Sequence, residues 1–373
     1  MLNRLLSNDV HHGRFVAWLL VAILVVLAAG PFLLPGAKAL NVAAKVMVFV
    51  VLVASFDLLL GYTGIVSFAH TMFFGIGAYG VAIAMTRLGA NWEAMVMGVI
   101  GSLVTSCLLA LAVGIFSLRV RAIFYSMITL AIAVAFQTLA SQLSEVTGGE
   151  DGITFRLPPA LMSSFRIGLE PFLGVPIDGR LVCYYVLFVL TVGLVLMLLR
   201  IVNSPFGRVL QAIRENEFRA EAIGYRVVVY RTLSSVLSAA FASMAGVMLA
   251  LWLRYAGPDS TMSFEIMLDI LLIITIGGTG TIYGAVIGTV IFLVAQGYLQ
   301  EVLAQVGAQV TAWPWLAQLF SPDRWLLWLG LLFVLAVYYV PNGVVGFLRG
   351  VRSTEFATKV GPPSPTSFEK ASR

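Results

Sequence analysis

Ten runs of mostly apolar residues, each about as long as a bilayer is thick, leave this chain few ways to fold. They cover 16–35, 39–60, 67–86, 94–118, 122–143, 181–203, 228–254, 264–279, 281–302 and 326–348. Crossing a bilayer takes about 20 such residues in a helix. Inside hydrocarbon every backbone N–H and C=O must be satisfied within the protein, so only helices and closed barrels span. The runs lack the alternation of barrel strands. The expected class is therefore all-α, a polytopic membrane protein of about ten transmembrane helices. Composition agrees: 60% of the 373 residues are hydrophobic and 11% charged, against roughly a quarter charged in soluble domains.

The few charges orient the runs. Arg4 and Arg14, Arg119 and Arg121, the segment 200–231, and Arg349 and Arg352 fall on one side of a ten-span arrangement. Basic loops mark the cytoplasmic side, so both termini are expected there. The formal charge of +5 then reflects loops facing anionic lipid and not nucleic acid. The segment 144–180 falls on the opposite side. Its acidic tilt and prolines suit an ordered external loop. The first run follows Arg4 and Arg14 as a secretory leader would, but it is long enough to span and is read as an uncleaved first helix. The tail 349–373 is rich in Pro, Ser and Lys and is expected to be disordered. Cys107 and Cys183 lie in apolar runs and are read as packing residues, with no metal spacing.

One segment breaks the pattern. Residues 200–231 hold six arginines and three glutamates. Ser204-Pro205 suits a helix start. Phe206, Val209, Leu210 and Ile213 share one face, and Arg208, Gln211, Arg214 and Glu215 the other. Asn216 and Glu217 suit the start of a second short helix, which Gly224 can end in a left-handed cap. Glu215 and Arg219 have the spacing of a weak i,i+4 pair. Two readings stand: an ordinary basic loop, which the charge rule by itself favours, and an amphipathic platform that docks into a groove of a soluble partner.

Two glycine-rich stretches lie within the membrane runs. In GYTGIVSFAHTMFFGIGAYG (61–80), Gly61 and Gly64 are expected to break the chain and Ser67, His70 and Thr71 to open the next helix. Irregular backbone at this depth survives only when buried or lining a cavity, so the segment is either a pathway element or a turn before a close-packed helix. Gly75, Gly77 and Gly80 match GxGxxG but lack the strand and soluble unit that give that motif meaning; helix packing explains them better. In GGTGTIYGAVIG (277–288), Gly280, Gly284 and Gly288 read as a small-residue packing ladder. Asp57, His70, Glu265 and Asp269 are intramembrane ionisable residues and hence functional candidates. Glu265 and Asp269 share a helix face and suit a vestibule, a pairing with Arg254 or, equally, a place at the external interface, where a charge costs little. For His70 a hydrogen-bonded packing role is favoured over proton relay.

Four segments in order, GYTGIVSFAHTMFFGIGAYG, TGGEDGI (147–153), AIRENEFRAEAIGYRVVVYR and IGGTGTIYGAVIG, resemble the LivM-type inner-membrane permeases of ABC importers for branched-chain amino acids. The closing segment Trp325 to Arg349 is similar too, so the likeness covers roughly residues 40–349. It implies a permease domain over 16–348, after a cytoplasmic N-terminus 1–15, with a periplasmic loop 144–180 and a cytoplasmic coupling segment 204–224. It also implies residue roles: Arg208, Arg214, Glu217, Ala220 and Gly224 in ATPase coupling, and Gly64, Ser67, His70 and Asp269 in the translocation pathway. Ala220 and Gly224 keep the spacing of the permeases' EAA-x-x-x-G pattern, whereas Phe218 and Arg219 replace its Glu and Ala. Phe68-Ala69 stands where Leu-Gly is more common.

The implied partners are a second, LivH-like permease subunit, two ATPase subunits carrying ATP and Mg, and a periplasmic substrate-binding protein. No GxxxxGK[ST] occurs in the chain, so it lacks that phosphate-binding loop, and no cofactor, metal or catalytic role is expected of it. Branched-chain amino acids are the expected cargo, with urea, short amides or aromatic acids as the alternative. An ion-gradient transporter using Glu265 and Asp269 is a second alternative.

Overall fold

A computed structural model describes residues 14–33, 36–117, 122–162, 164–166, 177–309, 320–340 and 343–347. The expected N-terminal segment before residue 14, the tail, Arg119, Arg121 and Pro341 lie outside them. The elements are helices, apart from one two-residue strand pair. Leaving aside helical turns of three or four residues, they are in order α1 (Arg14–Leu33), α2 (Ala37–Thr63), α3 (His70–Leu88), α4 (Trp92–Ser117), α5 (Ala122–Gln142), α6 (Gly179–Val202), α7 (Pro205–Glu215), α8 (Glu217–Ala222), α9 (Val227–Leu253), α10 (Phe264–Gly277), α11 (Ile282–Gln309) and α12 (Trp325–Tyr339). Ten are long and apolar enough to span once flanking turns are added to α10 and α12.

The bundle is built around α2, which is buried along most of its length, with α9, α11 and α6 against it. The outer helices α1, α4, α5 and α12 turn Trp18, Val21, Leu108, Met127 and Val334 outward, a surface suited to lipid. Hydrophobic burial cannot drive helix association in lipid, so close backbone approach must contribute. A Cβ on Gly77 would overlap Ser243 O, and one on Gly246 would overlap Phe74 O. Gly80 and Gly98 bring α3 and α4 together in the same way. The GxGxxG of α3 is thus a packing surface.

Contacts sort the loops onto two ends. At one end lie α7 and α8, Gly64, the α10–α11 turn and residue 343. At the other, Ile153–Thr154 pairs antiparallel with Tyr255–Ala256, matching Ile153 with Ala256 and Thr154 with Tyr255. There Phe155, Leu157 and Leu161 are buried, Arg87 donates to Glu145 O at 3.2 Å, and Asp178 caps α6 by accepting from Leu181 N at 3.0 Å. The described part of 144–180 is an ordered cover.

Three expectations about glycines and helix starts change. Gly61 does not break the chain, because α2 continues to Thr63 and only Gly64, at φ 74°, ends it. Ser67 belongs to the connecting segment, and α3 starts at His70. Gly280 lies in a turn at φ 81° and not on the helical ladder. Gly284 and Gly288 do form that ladder, approaching Gly277 and Ile273 of α10 closely enough that a Cβ would overlap their backbone.

Candidate functional site

The charged segment folds as two helices on one end of the bundle. Ser204 caps α7, accepting from Gly207 N at 3.4 Å, and Pro205 takes the first turn. Gly207, Leu210 and Ile213 are buried beneath it, and Phe206 stacks on Tyr230 with centroids 5.7 Å apart. Asn216 ends α7 in extended backbone and starts α8, its side chain accepting from Arg219 N at 2.9 Å. At the far end Gly224 adopts φ 101°. Its N–H donates to Glu221 O at 2.9 Å, and Tyr225 N donates to Ala220 O at 3.1 Å, the paired bonds of a Schellman cap.

Ala220 is buried against Ile213 and Val227. Glu217 accepts two bonds from Arg231, at 2.7 and 3.0 Å. The expected Glu215–Arg219 pair is not among the ion pairs of the described residues, because the helix breaks between them at Asn216 and the i,i+4 relation is lost. What α8 presents outward is Phe218, 85% exposed, and Ile223, 71% exposed, ringed by the exposed Arg208, Arg219 and Glu221.

Arg214 lies exposed on the polar face, yet its guanidinium turns onto the end of the bundle. Its guanidinium donates to Gly61 O, which the local α2 ladder leaves free to accept. Its stem runs past Gly64, where a Cβ would stand 3.3 Å from Arg214 Cγ, and Nη1 would stand 2.8 Å from a Cβ on Gly280. Beside it Asp57, buried in α2, accepts from Gly280 N at 2.9 Å through Oδ1. Asp57 Oδ2 has no hydrogen-bond partner among the described residues. A Cβ on Gly61 would overlap both the Asp57 carboxylate and the Gly280 backbone, and one on Gly343 would overlap Gly278. The two glycine-rich stretches therefore meet here, with an arginine from the platform at their junction.

The candidate pathway residues do not form one cluster. Gly64 is exposed beside Arg214. Ser67 is buried, in side-chain contact with Tyr125 of α5. Around it, α5 satisfies the irregular backbone: Ser126 Oγ donates to Val66 O at 2.9 Å, and Phe68 N donates to Thr129 Oγ1 at 3.1 Å. His70 is enclosed between α2 and α3, with Nε2 3.0 Å from Ser55 Oγ and 3.1 Å from Leu52 O. A carbonyl can only accept, so Nε2 carries the proton. The favoured packing role for His70 fits this geometry.

Asp269 lies apart, on the other half of the bundle. Its carboxylate lies beside the side chain of Gln296 on α11 and near Lys45 on α2. Lys45 Nζ donates to Gln296 Oε1 at 3.1 Å. Nearer that end, Lys38 pairs with Glu301 and lies over the Tyr298 ring, 5.1 Å from its centroid. The suggested pairing of Glu265 or Asp269 with Arg254 is not among the described ion pairs. Arg254 instead ends α9 in left-handed backbone, its carbonyl accepting from Phe155 N at 3.2 Å. Lys45 and Gln296 were legible as polar residues in apolar runs. Lys38 and Lys45, seven apart, also share a helix face, a signal that averaging hydropathy over a run hides.

A family model described as branched-chain amino acid transport system / permease component matches residues 38–337. The chain is 26% identical to the high-affinity branched-chain amino acid transport system permease protein LivM of Salmonella typhimurium over 295 residues, 76% of this chain and 68% of that one. It is 24% identical to the probable branched-chain amino acid transport permease protein LivM of Methanocaldococcus jannaschii, covering 80% of it. To the permease protein LivH of Salmonella typhimurium it is 22% identical over 304 residues, 91% of that chain. No solved structure matches.

Proposed function

The chain belongs to the branched-chain amino acid transport permease family as a LivM-type member, a multi-pass transport subunit and not a catalyst, and from that premise we propose how it works. It forms half of the translocation pore of an ABC importer for branched-chain amino acids in the inner membrane. The end bearing α7 and α8 faces the cytoplasm, with both chain termini. A LivH-like permease completes the pore. Two ATPases bind ATP and Mg below it, and a periplasmic binding protein docks over 144–180.

The observation that carries this reading is the Arg214 joint. A platform that only bound a partner would need no link to the span core. Here the guanidinium ties α7 to the last turn of the innermost helix and adjoins the α10–α11 turn. A displacement of α7–α8 by a closing ATPase is passed through it to α2 and α10, the rigid-body coupling that alternating access requires. Phe218 and Ile223 enter the ATPase groove, while Ala220, Gly224 and Glu217 hold the platform's shape and Arg208 lies on its charged rim.

The test is uptake of labelled leucine into vesicles holding the whole complex, with urea, a short amide and an aromatic acid as competitors. ATP-dependent, vanadate-sensitive leucine uptake is expected. Uptake driven by an ion gradient and indifferent to vanadate would overturn the mechanism. Uptake of only the competitors would overturn the cargo.

A further inference from the structure

Lys45 and Asp269 lie within apolar spans, where isolated charges are costly and mark function by default. The expected economy is a direct ion pair, yet none joins them among the described residues. The Gln296 side chain stands between them: its oxygen accepts from Lys45 Nζ at 3.1 Å, which leaves its NH2 group free to face the neighbouring Asp269 carboxylate. A positive and a negative group are thus held apart across one carboxamide, each on a different helix, α2, α10 and α11. Lys45 and Asp269 are both partly exposed, and Glu265, one turn from Asp269 on the same face, is exposed. Such a face is unsuited to lipid. The outward faces of α1, α4 and α5 show chiefly apolar side chains instead, with the uncharged Thr105 and Thr138 among them.

We propose that Lys45, Gln296 and Asp269 form a zwitterion-binding station on the pore-lining face, Lys45 taking the α-carboxylate and Asp269 the α-ammonium of an amino acid in transit. The inference rests on the permease reading above and adds the site within it. An α-amino acid carries its two opposite charges on groups one carbon apart, and no net charge enters the membrane when both are met. With no cargo the Gln296 amide occupies both partners, so neither charge is left bare. Cargo replaces the amide with stronger charge-assisted bonds, and its departure lets the amide return, so the site holds briefly and releases. Urea and simple amides lack the charge pair and gain nothing from it.

Leucine uptake is measured in vesicles bearing the complex, beside chain level and ATPase activity. Lys45→Met and Asp269→Asn are each expected to lower uptake at least tenfold with ATPase assembly intact. The double Lys45→Met/Asp269→Asn separates binding from packing. A pair serving only structure tolerates joint removal better than single removal, because no unpaired charge remains. A double variant as inactive as the singles supports the station, and uptake restored in the double overturns it. Should the neutral variants fail to accumulate, Lys45→Arg and Asp269→Glu keep both charges but shift them. They are expected to raise the leucine KM at least fivefold, and an unchanged KM overturns the proposal. Absence of amino acid uptake by the unaltered complex would instead refute the permease reading's cargo.

Discussion

Gly246 contributes a hydrogen where any other side chain would strike the Phe74 carbonyl. Gly246→Val therefore cannot be absorbed by a rotamer change, since the obstacle is backbone. Overpacking of this kind costs about 1–3 kcal/mol or more, and the chain level in membranes, read by immunoblot, should fall severalfold. Glycines of positive φ behave differently according to their surroundings. Gly224 has nothing within 4 Å of a built Cβ, so Gly224→Ala meets only backbone strain of about 1–2 kcal/mol, confined to the end of α8. Gly280→Ala meets similar strain and also crowds Arg214. Its expected effect is on coupling: uptake falls more than with Gly224→Ala, at similar chain level. Arg214→Ala is the sharper case. It removes the donor to Gly61 O, and uptake should drop at least tenfold while basal ATP hydrolysis by the assembled complex persists. Loss of both together at normal assembly would count against a transmission role.

At the scale of elements, α8 is a six-residue helix, far too short to persist alone. Its caps at both ends and the buried Ala220 hold it in place, which frees Phe218 and Ile223 to face outward. Phe218→Asp and Ile223→Asp remove no internal contact of the helix. They should leave the chain level unchanged and reduce co-purification of the ATPases at least tenfold, as expected for apolar anchors at an interface core. Unimpaired co-purification in both would place the docking surface elsewhere. The Glu217–Arg231 pair is partly exposed, with side chains 44% and 19% accessible, so it contributes at most about 1 kcal/mol and serves to orient α8 on α9. At the other end, Thr154 and Tyr255 face each other across the short ladder. Strand partners stand about 4.5–5.5 Å apart at Cα, within disulfide range. Cysteines at both positions should cross-link on oxidation, detectable by peptide mass.

For the whole molecule the decisive feature is which faces meet lipid. The outward side chains of α1 and α4 are chiefly apolar, while α2, α10 and α11 share the row Lys38, Glu301, Lys45, Gln296, Asp269 and Glu265. Glu265→Cys should react with a membrane-impermeant thiol reagent. Val21→Cys and Leu108→Cys should not, measured above the background of Cys107 and Cys183. Equal labelling of all three would show that this row does not line a watery route. The innermost position of α2 gives it contact with both regions. It carries Lys45 toward one end and Asp57 and Gly61 toward the other. Lys45 and Gly61 are sixteen residues apart, about 24 Å of helix, a rigid distance over which movement at the Arg214 joint reaches the charged station.

Much of this was legible in the chain alone. The ten apolar runs demanded a helical bundle, because hydrocarbon offers the backbone no other partner. Ser204, Asn216 and Gly224 marked the starts and the stop of the platform helices, since capping is settled within a few residues. Local rules failed where the partner was distant. Arg214 reads as a solvent residue by its helix face and is exposed, but the acceptor it finds lies 153 residues earlier. Gly61 reads as a break and is instead the thin point that admits Gly280. Asp269 suggested a pairing with nearby Arg254, yet its partners come from α11 and α2. The sequence by itself thus determined an all-α membrane protein of about ten spans, and where its two charged helices begin and end. Only the tertiary structure decided which glycines abut and which charges meet, because those depend on helix packing between segments that periodicity leaves free to rotate.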